Sequence, residues 1–264
     1  MNKIHTLILV EGKGEHTVVK SLINKFIENQ DCFVLGFNIY KLYKIFEQAS
    51  EGEEFDTVSL LKEINEKHKH SNNKSNATII SQLNKNEIVK IYLILDLDMH
   101  ADIGKKVTHS EKFNQVDEML KVFSQVDDKG LLLVNYPCFE SYTHIEEDIV
   151  TFYNSKFNPS RRDYKKYRHD DMQFKKLQHD KHGYLDHNKL KSPELMPYVF
   201  DFHLKKLKYI CNLDDIDKIT QQILLKTQDN LYTKEDLIFI ISSIPMLFID
   251  YYGVGNFMER LYYE

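Results

Sequence analysis

Two apolar runs in this chain end in carboxylates. TLILVEGKGEH (6–16) breaks at Glu11 with a glycine next, and KIYLILDLDMH (90–100) closes on Asp96 and Asp98. Side-chain direction along a regular strand repeats every two residues, so Asp96 and Asp98 are predicted on one face. Two carboxylates on one face repel unless a cation, a proton or a basic group compensates. Their oxygens are hard donors and favour Mg²⁺ or Mn²⁺ over zinc. Glu11, brought beside them by strand pairing, completes a three-carboxylate site. A lone D-x-D usually just faces water; what singles this one out is an apolar strand before it and a second strand ending in E-G before a helix.

The glycines of EGKGE invite a phosphate-loop reading. The spacing G-x-x-x-x-G-K-[ST] is absent, and no third glycine opens the helix as a dinucleotide site needs. Backbone N–H groups at the helix start would touch a phosphate only in an accessory role. Gly12 is better explained by a tight strand-to-helix turn that presents Glu11.

These acids need a scaffold, and the pattern predicts an α/β layer with a mostly parallel sheet flanked by helices. HTLILVEG reads as a buried strand. EHTVVKSLINKFIENQ has helical spacing, with Glu15 in its first turn. CFVLGFNIY (32–40) reads as a second or bent strand, DTVSLLKEINEKH (56–68) as a helix capped by Asp56, KHSNNKSNA (69–77) as a loop and ATIISQLNK as a short helix. KIYLILDLDMH is the strongest strand and suits the centre of a sheet covered on both faces. SEKFNQVDEMLKVFSQV (110–126) reads as a helix capped by Ser110, and KGLLLVNYPCFESYTHI (129–145) as a strand closed by Pro137. In such sheets the functional crevice lies at the carboxyl ends of the strands, where Glu11, Asp96 and Asp98 fall. Beyond 145 the pattern is mainly helical, in DFHLKKLKYI, DIDKITQQILLKTQ and KEDLIFIISSI. The reading divides the chain into an α/β catalytic domain over 1–148 and a helical C-terminal region over 149–264.

ILVEGKGE followed by YLILDLD resembles the Toprim domain shared by topoisomerases, bacterial primases and OLD-family nucleases. The family signature, a glutamate after the first strand and a D-x-D after a later one, falls on Glu11, Asp96 and Asp98. The acid of OLD-type nucleases four residues past the glutamate falls on Glu15. NYPCFESYTHI is similar to a segment of RloB-like Toprim proteins associated with phage defence, through Asn135, Pro137, Cys138, Phe139, Glu140 and His144, with Tyr136 inserted. The resemblance covers 6 to about 145, and an insertion over 46–77 accounts for the long interval between Glu11 and Asp96. It implies a Toprim-like, Rossmann-like fold and a Mg²⁺- or Mn²⁺-dependent nuclease acting on DNA or RNA, expected as an anti-phage effector. Glu11, Asp96 and Asp98 would be catalytic and, with Glu15, metal-binding, while Gly12 and Glu140 support them. An activating protein partner or a homo-oligomer is an open expectation.

Charge is unevenly spread along the chain. Residues 1–150 carry 17 Lys/Arg against 24 Asp/Glu, residues 151–208 carry 14 against 7, and residues 209–264 carry 4 against 9. A polyanion would therefore meet the basic segment over 156–208. Within it, Arg161, Arg162, Lys165, Lys166, Arg168, Lys175 and Lys176 surround Tyr164 and Tyr167, a mixture that suits phosphate contacts and base stacking. A solvated helix face is the competing explanation there and for the lysines of HLKKLK (203–208). His169, His179, His182 and His187 fit no strong zinc spacing, and structural roles are the safer expectation for His100 and His144.

Three scattered cysteines, Cys32, Cys138 and Cys211, suit a reducing cytosol. The N-terminal apolar stretch lacks a signal-peptide cleavage site. The most apolar run, LIFIISSIPMLFI (237–249), holds 13 residues and a proline, against about 20 for a membrane span; a buried helix or two short core segments is expected. A cytoplasmic protein without membrane contact follows. Two other readings stand beside the nuclease: a phosphatase of the haloacid dehalogenase type, which also ends a strand in D-x-D, and a non-catalytic Toprim-like partner or sensor subunit. None of the 16 tyrosines has a context that marks a topoisomerase nucleophile.

Overall fold

A computed structural model describes residues 5–28, 30–49, 56–67, 80–99, 107–125, 130–143, 166–168, 195–235 and 237–263. The chain is α/β. Strands β1 (His5–Val10), β2 (Gln30–Val34), β3 (Ile88–Asp96), β4 (Ser124–Gln125) and β5 (Gly130–Asn135) form a five-stranded sheet in the order β2-β1-β3-β5-β4. β1 runs parallel to both β2 and β3, while the short β4 pairs antiparallel with β5. β3 is therefore central, as its continuous apolar run requires: Ile91 through Leu95 are all buried. Fully burying such side chains contributes about 1.5–3 kcal/mol each.

Helix α1 (Lys13–Phe26) follows β1 after a two-residue turn and packs on β1 and β2 through Val18, Val19, Leu22 and Ile23. Those positions share one helical stripe. β2 stops at Val34, earlier than expected, because Gly36 takes a left-handed conformation (φ 76°) and Asn38 starts a helix. The Asn38 side chain accepts from Lys41 N at 3.0 Å, a cap that begins α2 (Ile39–Ala49). Half of the presumed second strand is thus turn and helix. α3 (Thr57–Lys67) carries the expected cap: Asp56 accepts from Val58 N at 3.2 Å and from Ser59 Oγ at 2.7 Å. Residues 80–82 form a helical turn; the loop read over 69–77 lies outside the described residues.

α4 (His109–Val122) begins one residue before the expected cap, Ser110. Thr108 is the cap. Its Oγ1 accepts from Glu111 N at 3.2 Å, and Glu111 Oε2 accepts from Thr108 N at 2.6 Å. This is a reciprocal capping box. β5 opens on Gly130 at φ 115°, where a Cβ would sit 2.7 Å from Leu93 Cδ1. Only glycine permits that approach. β5 ends at Asn135 and is followed by a 3₁₀ turn, Phe139–Thr143.

The C-terminal region is helical, with α5 (Met196–Cys211), α6 (Gln221–Glu235), α7 (Ile244–Tyr252) and α8 (Val254–Tyr263). The expected helix over KEDLIFIISSI is a strand instead. β7 (Leu237–Phe239) pairs antiparallel with β6 (Lys166–Arg168), and Ile241 bridges Tyr136. β-branched residues crowd helices and suit extended chain. The other edge is met by a side-chain amide: Gln228 accepts from Phe239 N at 2.8 Å and donates to Phe239 O at 2.9 Å. Phe200, Phe248 and Phe257 pack ring to ring at centroid distances of 5.0–5.2 Å. No helix among the described residues is long and apolar enough to cross a membrane. The chain forms two compact units, Met1–Leu95 with Glu118–Leu132, and Asp96–Asp117 with Leu133–Glu264.

Candidate functional site

In the first unit, strand pairing carries Glu11 to the carboxyl end of β1. The β1–β2 ladder continues past the strands: Leu35 N donates to Val10 O at 2.8 Å and Gly36 N to Glu11 O at 3.0 Å. The backbone of Glu11 is thereby fixed, and its side chain is half-buried. Gly12 is the N-cap of α1 in extended conformation. A Cβ there would lie 2.6 Å from Glu15 Oε2, so Gly12 gives the Glu15 carboxylate room to fold back over the turn. On the other side of β1, the register with β3 pairs Val10 with Ile94.

In the second unit, Asp96 is the last residue of β3 and is only 7% exposed. A buried carboxylate needs partners; one is Asn135, whose Nδ2 donates to Asp96 Oδ1 at 3.3 Å. Asp98 does not continue the strand. Its φ is +36°, its N donates to Pro137 O at 3.2 Å, and its side chain is half-buried. The same-face argument for the D-x-D, which assumes a regular strand, therefore does not carry over. A non-glycine residue in left-handed conformation costs of order 1–3 kcal/mol and persists where its surroundings over-determine it.

Two residues beside this segment were not chosen from sequence. Asn135 is 0% exposed. Lys112 of α4 is 5% exposed and donates through Nζ to Met99 O at 2.5 Å, one residue beyond Asp98. Lys112 was legible: it stands on the apolar stripe with Phe113, Val116, Met119 and Leu120, where a lysine is out of place. Asn135 carried two weaker signals, its place at the end of an apolar strand and its match to the RloB-like segment, and neither gave it a role.

The oxygen donors of Asp96 and Asp98 suit a hard cation. Mg²⁺ commonly keeps several waters and is held by one or two carboxylates together with substrate phosphate, so the acid pair fits it. Among the described residues no group of three or more His, Cys, Asp and Glu side chains is gathered as a metal cage. The side chain of Glu140 is not described, and Arg161, Arg162, Lys165, Lys175, Lys176, His100, His144, His169, His179, His182 and His187 lie outside the described residues. Lys166 and Arg168 lie in β6, where Lys166 pairs with Phe239 and Arg168 with Leu237.

HLKKLK does not form a uniformly solvated face. Lys205 is exposed and pairs with Asp201 at 2.8 Å, but Lys206 is 1% exposed with its ammonium 5.9 Å from the Phe202 ring centroid. His203 is buried beside it, hydrogen-bonded to Tyr142 O at 3.0 Å and stacked on the Tyr142 ring. Burial, with the nearby Lys206 charge, lowers its pKa to about 3 against the carbonyl hydrogen bond. Burial also raises the thiols of Cys32 and Cys211 to about 12, so neither is a thiolate nucleophile at neutral pH. The same cause raises the phenols of Tyr136 and Tyr142.

The chain matches no known protein-family profile, and neither curated proteins nor solved structures show a detectable similarity to it.

Proposed function

We propose that this chain is a Mg²⁺-dependent nuclease of the Toprim type that hydrolyses phosphodiester bonds of DNA or RNA as an anti-phage effector. The observation that carries this reading is Asp96, an acid held almost out of solvent at the carboxyl end of the central strand. A second acid, Asp98, follows in a left-handed turn. A carboxylate as buried as Asp96 needs compensation by hydrogen bonds or a cation, and in this reading a hard cation joins the Asn135 amide in supplying it. The adjacent parallel strand β1 ends in Glu11 before a glycine turn, in the order the resemblance calls for.

In this reading Asp96 and Asp98 hold the cation, Glu11 is a further ligand or the general base, and Glu15 serves a second metal. Bound Mg²⁺ supplies charge neutralisation at the scissile phosphate and a more acidic water. The basic segment 156–208 would track the nucleic-acid backbone.

The test is cleavage of plasmid, single-stranded DNA and tRNA with Mg²⁺, Mn²⁺ or EDTA. Wild type is expected to cut with either metal and not with EDTA. Glu11→Ala is expected to slow cutting by about 10²–10⁴-fold, the usual contribution of a positioned base, and Asp98→Ala to abolish it. Metal-dependent cutting that survives both substitutions would sink the assignment. Hydrolysis of a small phosphomonoester without cutting of nucleic acid would point to the phosphatase chemistry that D-x-D strands also serve.

A further inference from the structure

We infer that Asn135 is the positioning residue for Asp96, and that the C-terminal helical region orients it. The inference rests on the metal-binding reading of Asp96 and adds to it a residue and a role for residues 221–243.

The geometry has one sense only. Ser243 N, a backbone donor, reaches Asn135 Oδ1 at 3.0 Å. A backbone N–H can only donate, so the amide oxygen must face Ser243 and the amide nitrogen must face the other way. That other side is Asp96 Oδ1, 3.3 Å from Nδ2. The carboxylate has about four lone-pair sites, and holding Oδ1 fixes the plane in which the remaining ones are presented.

Ser243 is itself tied down. Its Oγ donates to Val134 O and accepts from Gln221 Nε2 at 3.1 Å, while Gln221 Oε1 accepts from Val134 N at 3.0 Å. Asn135, Gln221 and Ser243 are all buried. Buried polar groups are costly when unmatched and rigid when matched, so this set fixes the Asn135 amide without solvent. The backbone of Asn135 contributes as well: its carbonyl accepts from Leu97 N at 3.0 Å, between the two aspartates. One residue thus registers both the side chain and the main chain of the D-x-D segment.

Groups that orient a metal ligand commonly change metal affinity by about 10–100-fold when removed. The test is Mn²⁺ binding to the full chain by titration calorimetry and electron paramagnetic resonance, with thermal melts alongside. Wild type is compared with Asp96→Ala, Asn135→Ala and Asn135→Ser. The serine variant keeps a polar group at this buried position but is too short to reach either Asp96 or Ser243 N, and the thermal melts report any loss of folding in it. Gly253→Ala, at a φ of 77° beyond α7, serves as a destabilised control remote from these contacts.

The expected result is tight Mn²⁺ binding by wild type, its loss in Asp96→Ala, and about 10–100-fold weaker binding in both Asn135 variants. Gly253→Ala should melt earlier yet bind Mn²⁺ as wild type does. If Asp96→Ala loses the ion while both Asn135 variants bind it normally, the positioning role is overturned and the metal reading stands. If wild type and Asp96→Ala behave alike, both fall.

Discussion

Burial of His203 ties the stability of this chain to pH. Its pKa is about 3 in the folded state against 6.5 for an exposed imidazole. The unfolded chain therefore binds the extra proton between those values, and stability is lost as pH falls through that window. Between pH 7.0 and 5.5 this single group is expected to remove about 1 kcal/mol. Urea unfolding at the two pH values measures it, and His203→Gln should flatten the dependence by that amount. An unchanged slope would show that another group dominates. The proximity of a histidine to Lys206 was visible in HLKKLK, but which lysine turns inward was not. A spacing of three residues places His203 and Lys206 on one face, yet only the packed Tyr142 and Phe202 rings make that face the inner one.

At the scale of elements, two local features can be tested by substitution. Thr108 caps α4 through both its hydroxyl and its amide, and the bonds it gives Glu111 hold that carboxyl below the usual range. Thr108→Ala is expected to cost about 1 kcal/mol, as for other lost caps, and to lower the melting temperature by a few degrees. Gly130→Ala is expected to cost about 1–3 kcal/mol, since the new Cβ collides with Leu93 and φ stays positive. Calorimetric melts of the two variants check both; a wild-type melt for Gly130→Ala would mean that β5 shifts freely against β3.

The central strands and α1 were legible because apolar runs and helical stripes are local patterns. The start of α2 was missed although Gly36 and Asn38 carry its turn and cap. The stretch 237–241 was misread because short apolar runs do not distinguish helix from strand. Tertiary partners decided it: β6 on one side of β7, the Gln228 amide on the other, and Tyr136 for Ile241.

For the whole molecule, the segment that presents the D-x-D is finished by residues from the far end of the chain. Val134 bonds Gln221 and Ser243, Asn135 bonds Ser243, and Tyr136 exchanges two backbone hydrogen bonds of 2.8 Å with Ile241. A fragment ending at residue 148 would leave these buried groups unmet, at about 1–3 kcal/mol each. Such a fragment is expected to lack cooperative unfolding and Mn²⁺ binding, as read by thermal melts and titration calorimetry. Full restoration on mixing with a separately made 149–264 fragment would support the same contacts. A fragment of 1–148 that melts like the intact chain would refute their importance.

The sequence by itself determined the α/β alternation, the central place of β3 and the positions of Glu11 and Asp96 at strand ends. Those follow from hydrophobic periodicity and the abrupt polar residue that ends each run. The tertiary structure alone decided that Asp98 leaves the strand in a left-handed turn and that Lys112 reaches the Met99 carbonyl. It alone showed that Asn135 holds Asp96 with Ser243 behind it. Those contacts join residues separated by 13 to 108 positions in the chain, and no local pattern encodes a partner that far away.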